Sequence, residues 1–178
     1  HRTSFRLSLM HHRAETSSQE NGIITTAADT LGPVLVVWRE WLALPDLGLP
    51  EIKAKVDCGA KSSALHALLV EPFRRHGRDW VRFAMHPLQN VNDLVVGCEA
   101  WLIDEREVSD SGGHREIRPV IETRMVLCDT QWPIEQTLTN RDSMQFRMLL
   151  GRRAMLGRLR VDPEASYRCG KPDLVQLY

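Results

Sequence analysis

The sequence predicts an all-β domain, either a sandwich or a barrel, and three observations carry that expectation. Short apolar segments recur at close spacing, clusters of Pro, Gly and Asn/Asp separate them, and no helical pattern of about ten residues lies between them. With 178 residues, 43% of them apolar, the chain can bury the core of one domain.

Residues 1–31 stand apart in composition, with Ser, Thr, Arg and His scattered through them and no sustained periodicity. They are expected to form a flexible tail, with the folded domain at 32–178. Arg2, Arg6 and Arg13 precede the first acidic residue, Glu15, and give a faint likeness to a targeting peptide, but no apolar core of secretory length accompanies them. His11-His12 is too short for a metal tract. The strands are expected at Val34 to Trp38, Trp41 to Leu44, Ile52 to Val56, Trp80 to Met85, Leu94 to Ile103, Ile117 to Leu127 and Trp132 to Leu138. Met148 to Leu150 adds an apolar strand ending in Gly151, and Gly151 to Leu156 reads as the one short helix. Trp38, Trp41, Trp80, Trp101 and Trp132 are expected to pack in the core or at a barrel end, since indoles bring much apolar area.

Composition removes several functions. Lys plus Arg and Asp plus Glu both total 23, so no global field favours nucleic acid or an acidic membrane. No apolar run approaches the roughly 18 residues of a membrane-spanning helix. Cys58, Cys98, Cys128 and Cys169 form no close pair, which fits neither a zinc ribbon nor a dense disulfide framework. Reduced thiols in the cytoplasm are expected. No phosphate loop is present, and no cofactor is expected.

The chemistry starts at Asp57. Ile52, Ala54 and Val56 alternate with Lys53 and Lys55, so a half-buried strand delivers Asp57 to its end. In an Asp-x-Gly turn the Asp bonds its own backbone and the Gly takes positive φ. Ala60, Ser62 and Ser63 keep the neighbourhood small enough for a second backbone to approach.

Asp57-Cys58-Gly59-Ala60, followed far downstream by Leu149-Leu150-Gly151-Arg152, resembles the retropepsin-type aspartic peptidases. Trp38-Arg39-Glu40-Trp41, Leu47-Gly48-Leu49-Pro50, Ala60 to Ala67, Thr137 to Asp142 and Phe146 to Arg152 extend the likeness to a bacterial family named ATP-dependent zinc proteases. That family is also described as retropepsin-like and is associated with ATP-grasp ligases that add glutamate to a ribosomal protein. The resemblance covers about 32 to 170 and implies a closed, barrel-like acid-protease fold. In that fold the Leu149-Leu150-Gly151 strand threads beside the Asp57 loop. It implies Asp57, Cys58 and Gly59 as the catalytic loop, and Ala60, Leu150, Gly151 and Arg152 beside the substrate. Gly112 and Gly113 lie in the polar hairpin Asp104 to Arg118, which the resemblance makes the flap that closes over the substrate. The family usually has Thr where this chain has Cys58. In retropepsin-like dimers that hydroxyl braces the two loops across the axis, and a thiol bonds more weakly.

Peptide hydrolysis of this kind needs two carboxylates, and no second Asp-x-Gly-Ala occurs. The resemblance therefore implies a homodimer with Asp57 from each chain, a peptide or protein substrate that is glutamate-rich, and an ATP-grasp ligase as partner. If one chain completed the site alone, Asp104, Asp110, Asp129 and Asp142 would be the positions to search. Two rivals remain. A zinc protease would draw on His66, His86 and His114 with Cys58 or Cys98, although no His-Glu-x-x-His is present. A binding module without hydrolysis would receive acidic peptide on Arg141, Arg147, Arg152 and Arg153, with Glu135 and Asp142 as their partners in the free protein.

Overall fold

The computed structural model describes residues 32–110, 112–140 and 144–178. The tail, Ser111, Arg141, Asp142 and Ser143 lie outside the described residues. Among the described residues eleven strands, two four-residue α-helices and a 3-10 turn at Pro45–Leu47 follow one another: β1 (Val34–Val37), β2 (Arg39–Leu44), β3 (Leu49–Asp57), β4 (Ser63–His66), β5 (Leu68–Arg75), β6 (Arg78–Met85), β7 (Val96–Ser109), β8 (Arg115–Leu127), β9 (Thr130–Thr139), β10 (Met148–Gly151), α1 (Arg152–Met155), β11 (Leu159–Asp162) and α2 (Leu174–Leu177). Neither helix is long and apolar enough to cross a membrane.

The principal sheet runs β2-β3-β10-β4-β9-β8-β7-β6-β5, and a further pairing of β2 with β8 closes its first six strands into a barrel. β1 and β11 form a separate parallel pair. Alternation makes the barrel wall one-sided, as a half-buried strand requires. Ile52 and Ala54 of β3 are fully buried and Val56 is 7% exposed, while Lys55 faces solvent. Leu42, Leu44, Ile121, Met125, Leu138 and Leu150 fill the same interior.

Three strands escape the sequence pattern. All four residues of β4 are buried, so it shows no alternation. β5 carries Pro72, which argues against a central strand, yet β5 is the edge of the sheet, where Pro is tolerated. β11 is four residues long. The expectation for the tryptophans needs correction. Trp132 is buried and donates from Nε1 to Ala154 O at 2.9 Å, but Trp101 is 43% exposed and meets Trp80 edge to face at 6.0 Å on the outer side of β6 and β7. The expectation of reduced thiols also needs correction: Cys128 and Cys169 form a disulfide, with Cα atoms 4.9 Å apart. Sequence spacing misled there, because the fold brings the end of β8 against a segment 41 residues later. Cys58 and Cys98 are free thiols.

Candidate active site

β10 lies parallel to β3 in the register Leu149↔Lys55, Leu150↔Val56 and Gly151↔Asp57, so the apolar strand does run beside the Asp57 loop. Antiparallel pairing with β4 holds its other edge. Gly151 is there for space: a Cβ would stand 2.5 Å from the carbonyl carbon and oxygen of Ser62 and 2.9 Å from Ser63 N. The contact is tied on both sides. Gly151 N donates to Ser63 Oγ at 3.0 Å, Thr137 Oγ1 donates to Ser63 O at 2.9 Å, and Arg152 N donates to Ala60 O at 2.8 Å.

The Asp57 carboxylate closes its own turn. Oδ1 accepts from Gly59 N at 2.9 Å and from Ala60 N at 3.2 Å, and Oδ2 stands 3.7 Å from Lys55 Nζ. The side chain remains 28% exposed, open to one side. Gly59 is not among the positive-φ glycines, against the expectation for such a turn. Its lack of a Cβ serves the carboxylate instead, since a Cβ would stand 3.1 Å from Oδ1. Cys58 is exposed on the same loop. The Arg152 guanidinium lies on the loop itself, Nη1 donating at 3.0 Å to both Cys58 O and Gly59 O.

In front of this loop is an open cleft of about 1090 Å³, walled by Asp57, Gly59, Ala60 and Lys61 on one side and by Glu105 to Asp110 of β7 on the other. β7 and β8 continue to the pair Ser109↔Arg115, so the polar stretch does form a long hairpin. Asp110 Oδ1 ties its tip by accepting from Gly112 N at 2.8 Å and His114 N at 2.9 Å, and Gly113 takes φ +80. Gly112 and Gly113 sit at that tip, beyond the residues that line the cleft. Leu150 is fully buried in the core and its neighbour Leu149 faces the cleft, because successive strand residues point to opposite faces.

Arg106, Arg118 and Arg153 also line the cleft, and the sequence singled out only Arg153 of these. Arg106 bonds Asp104 at 2.8 Å and Glu135 at 2.6 Å, and its hydrogen bond holds the Glu135 carboxyl below the usual range. The Arg118 side chain, 8% exposed, pairs with Glu116, which also accepts from Thr139 Oγ1 at 2.9 Å. Sequence carries no signal for these roles, since each depends on pairing across β7, β8 and β9. Arg147 is engaged elsewhere, with Nη2 on Asn92 Oδ1 at 3.2 Å and Nη1 3.4 Å from His66 Nδ1.

The donors named for zinc do not fit a metal centre. Cys98 lies in the core with its Sγ 3.3 Å from Leu47 O, and burial pushes its thiol up to about 12. His86 Nδ1 is 3.0 Å from Leu94 O. Among the described residues no three His, Cys, Asp or Glu side chains gather to hold an ion. Of the remaining aspartates, Asp104 pairs with Arg106, Asp110 holds the hairpin tip and Asp129 sits in the turn between β8 and β9, while Asp142 lies outside the described residues.

A family model described as "Retropepsin-like aspartic endopeptidase RimB" matches residues 35–172. The chain is 50% identical over 137 residues to a "Probable alpha-L-glutamate ligase" of Parasynechococcus marenigrum, covering 77% of this chain and 29% of that protein. A protein of the same name from Shewanella pealeana is 46% identical over 143 residues, which cover 79% of this chain and 31% of that one. The chain thus spans about 30% of the length of these curated relatives. Among solved structures, a Legionella pneumophila protein of unknown function superimposes with a TM-score of 0.65 at 26% identity, over 76% of this chain and 98% of that one.

Proposed function

Because the chain belongs to the RimB-like family of retropepsin-like aspartic endopeptidases, we propose that it hydrolyses peptide bonds in a glutamate-rich protein segment with two Asp57 carboxylates, one from each of two chains. The observation that carries this reading is the placement of Asp57, partly exposed in a cleft between its own loop and the β7–β8 hairpin, with Gly151 packed beside it. In the dimer one ionised Asp57 takes a proton from water as the water attacks the peptide carbon, and the protonated partner polarises the carbonyl oxygen. Like charges about 3 Å apart cannot both ionise, which leaves one proton shared by the pair. Gly59 and Ala60 amides hold one oxygen of each carboxylate, leaving the other to meet water. The β7–β8 hairpin would act as the flap. Arg153, exposed at the cleft, suits an acidic peptide because guanidinium pairs with carboxylate in a forked geometry. Relatives named probable alpha-L-glutamate ligase support a reading in which the chain works with a glutamate ligase and meets an acidic, glutamate-rich segment.

A transition-state inhibitor should bind at one molecule per two chains, and cleavage of a glutamate-rich peptide per chain should fall on dilution below the dimer dissociation constant. One inhibitor per chain, with dilution-independent activity, would refute the shared site. The exposed thiol of Cys58 and the ligase names favour a second reading, in which the domain holds an acidic tail for a ligase without cutting it. Tight peptide binding with no cleavage products would support that one. Cys58→Thr tests the dimer interface itself. A hydroxyl in the bracing position should tighten the dimer by about 0.5–1.5 kcal/mol per bond, read by sedimentation, and equal dimer affinity in both proteins would remove Cys58 from the interface.

A further inference from the structure

The barrel closes between β2 and β8 through one ladder pair, Ala43↔Val126. The chain's final segment covers the rest of that seam. Tyr167 N donates to Arg39 O at 3.0 Å, and Arg39 Nε donates to Ser166 Oγ at 2.9 Å. Glu40, fully buried, accepts from Arg168 N at 3.1 Å and Cys169 N at 3.2 Å. On the far side Cys169 is bonded to Cys128, the residue that follows β8. Residues 166–169 are therefore stitched to β2 by hydrogen bonds and to the end of β8 by a single covalent bond.

That bond opens on a cavity of about 190 Å³, lined also by Trp41, Glu51 and Lys171. Both cysteines are half-buried and line that cavity. Glu51 Oε2 is buried with no hydrogen-bond partner among the described residues, and burial raises the carboxyl above its usual range. A buried, unpartnered carboxyl on the cavity that the disulfide lines suits thiol exchange, because each sulfur leaves as a thiolate that must be protonated.

We propose that Cys128–Cys169 is a thiol–disulfide exchange site that locks the β2–β8 seam, opened by a dithiol reductant with Glu51 as proton donor. A thiolate of the reductant attacks one sulfur, the Cys128–Cys169 bond breaks, and the released sulfur takes the Glu51 proton. The second thiol of the reductant then attacks the mixed disulfide and frees the other cysteine. The reductant leaves as a disulfide, its two thiol protons having replenished Glu51 and protonated the second cysteine, so two electrons and two protons pass to the pair. With the lock open, β2 keeps its ladder to β3, the strand that carries Asp57, and its single pair with β8, but the covalent tie that residues 166–169 make across the rest of the seam is lost.

The test uses the full chain in graded mixtures of reduced and oxidised dithiothreitol. Acid quenching followed by alkylation in denaturant and mass measurement should count two free thiols when oxidised, Cys58 and the core Cys98, and four when reduced. Reduction should raise amide exchange by about 10-fold or more in Arg39–Leu44 and 163–178, while the β8–β9 ladder stays protected. Cys128→Ser should reproduce that pattern without reductant; if that variant does not fold, reduced wild type supplies the same reading. Glu51→Gln should slow reduction by at least about 10-fold near neutral pH and leave the midpoint unchanged. Four thiols under oxidising conditions, or unchanged exchange in β2 after reduction, would overturn the lock, and reduction of Glu51→Gln at the wild-type rate would overturn the assignment of Glu51.

Discussion

Asp57→Asn is expected to lower peptide cleavage by about 10³-fold or more while leaving the fold intact. The amide keeps an oxygen in the place where Asp57 Oδ1 accepts from Gly59 N and Ala60 N, so the turn retains its hydrogen bonds. It cannot take a proton from water or share one with its partner. Proton transfer by one positioned group is worth about 10²–10⁴-fold, and in a symmetric dimer the substitution removes both members of the pair together. Mixing gives a sharper result. If equal amounts of variant and wild type exchange subunits, about a quarter of the dimers keep two carboxylates, so activity should fall to about a quarter of the all-wild-type value. A fall to one half would mean that each chain works alone, and full activity of the pure variant would remove Asp57 from the chemistry.

The sequence made the two stretches of the site legible for different reasons. Ile52, Ala54 and Val56 alternate so regularly that the end of β3, and therefore Asp57, could be placed by period alone. Met148 to Gly151 showed only an apolar run and a glycine. Its position beside Asp57 came from the family resemblance, and the physical reason for Gly151 emerged only with the backbone of Ser62 against it. The resemblance points to Leu150 beside the substrate, whereas alternation along β10 turns Leu150 into the core and Leu149 to the cleft. β4 was hidden because it is buried throughout, and β5 because Pro72 is unremarkable only at a sheet edge. The resemblance sets Arg152 beside the substrate, and its guanidinium braces the Asp57 loop through two carbonyl oxygens. The disulfide and the cationic wall of Arg106 and Arg118 depend on contacts between elements distant in the chain. No local pattern announces such contacts.

Gly151→Ala is expected to cost about 3 kcal/mol or more in stability, at or above the upper end of ordinary overpacking. Overpacking is tolerable where a flexible side chain can swing aside. Here the clash is with backbone, the Ser62 carbonyl at 2.5 Å and Ser63 N at 2.9 Å. β10 cannot retreat cheaply, because it is paired with β3 on one edge and β4 on the other, and Gly151 N is itself bonded to Ser63 Oγ. Any shift that relieves the methyl strains both ladders and the six-stranded closure they belong to. For a domain of this size the loss corresponds to a fall in Tm of roughly 10 °C. Gly59→Ala is the control: its added Cβ meets only the Asp57 carboxylate oxygen at 3.1 Å, and Gly59 does not sit at positive φ. That variant should melt within a few degrees of wild type and lose activity instead, because the carboxylate itself must move. Thermal unfolding of the pair decides the matter, and a Gly151→Ala protein as stable as Gly59→Ala would show that the close approach of β10 to the Ser62 backbone does not hold the barrel together.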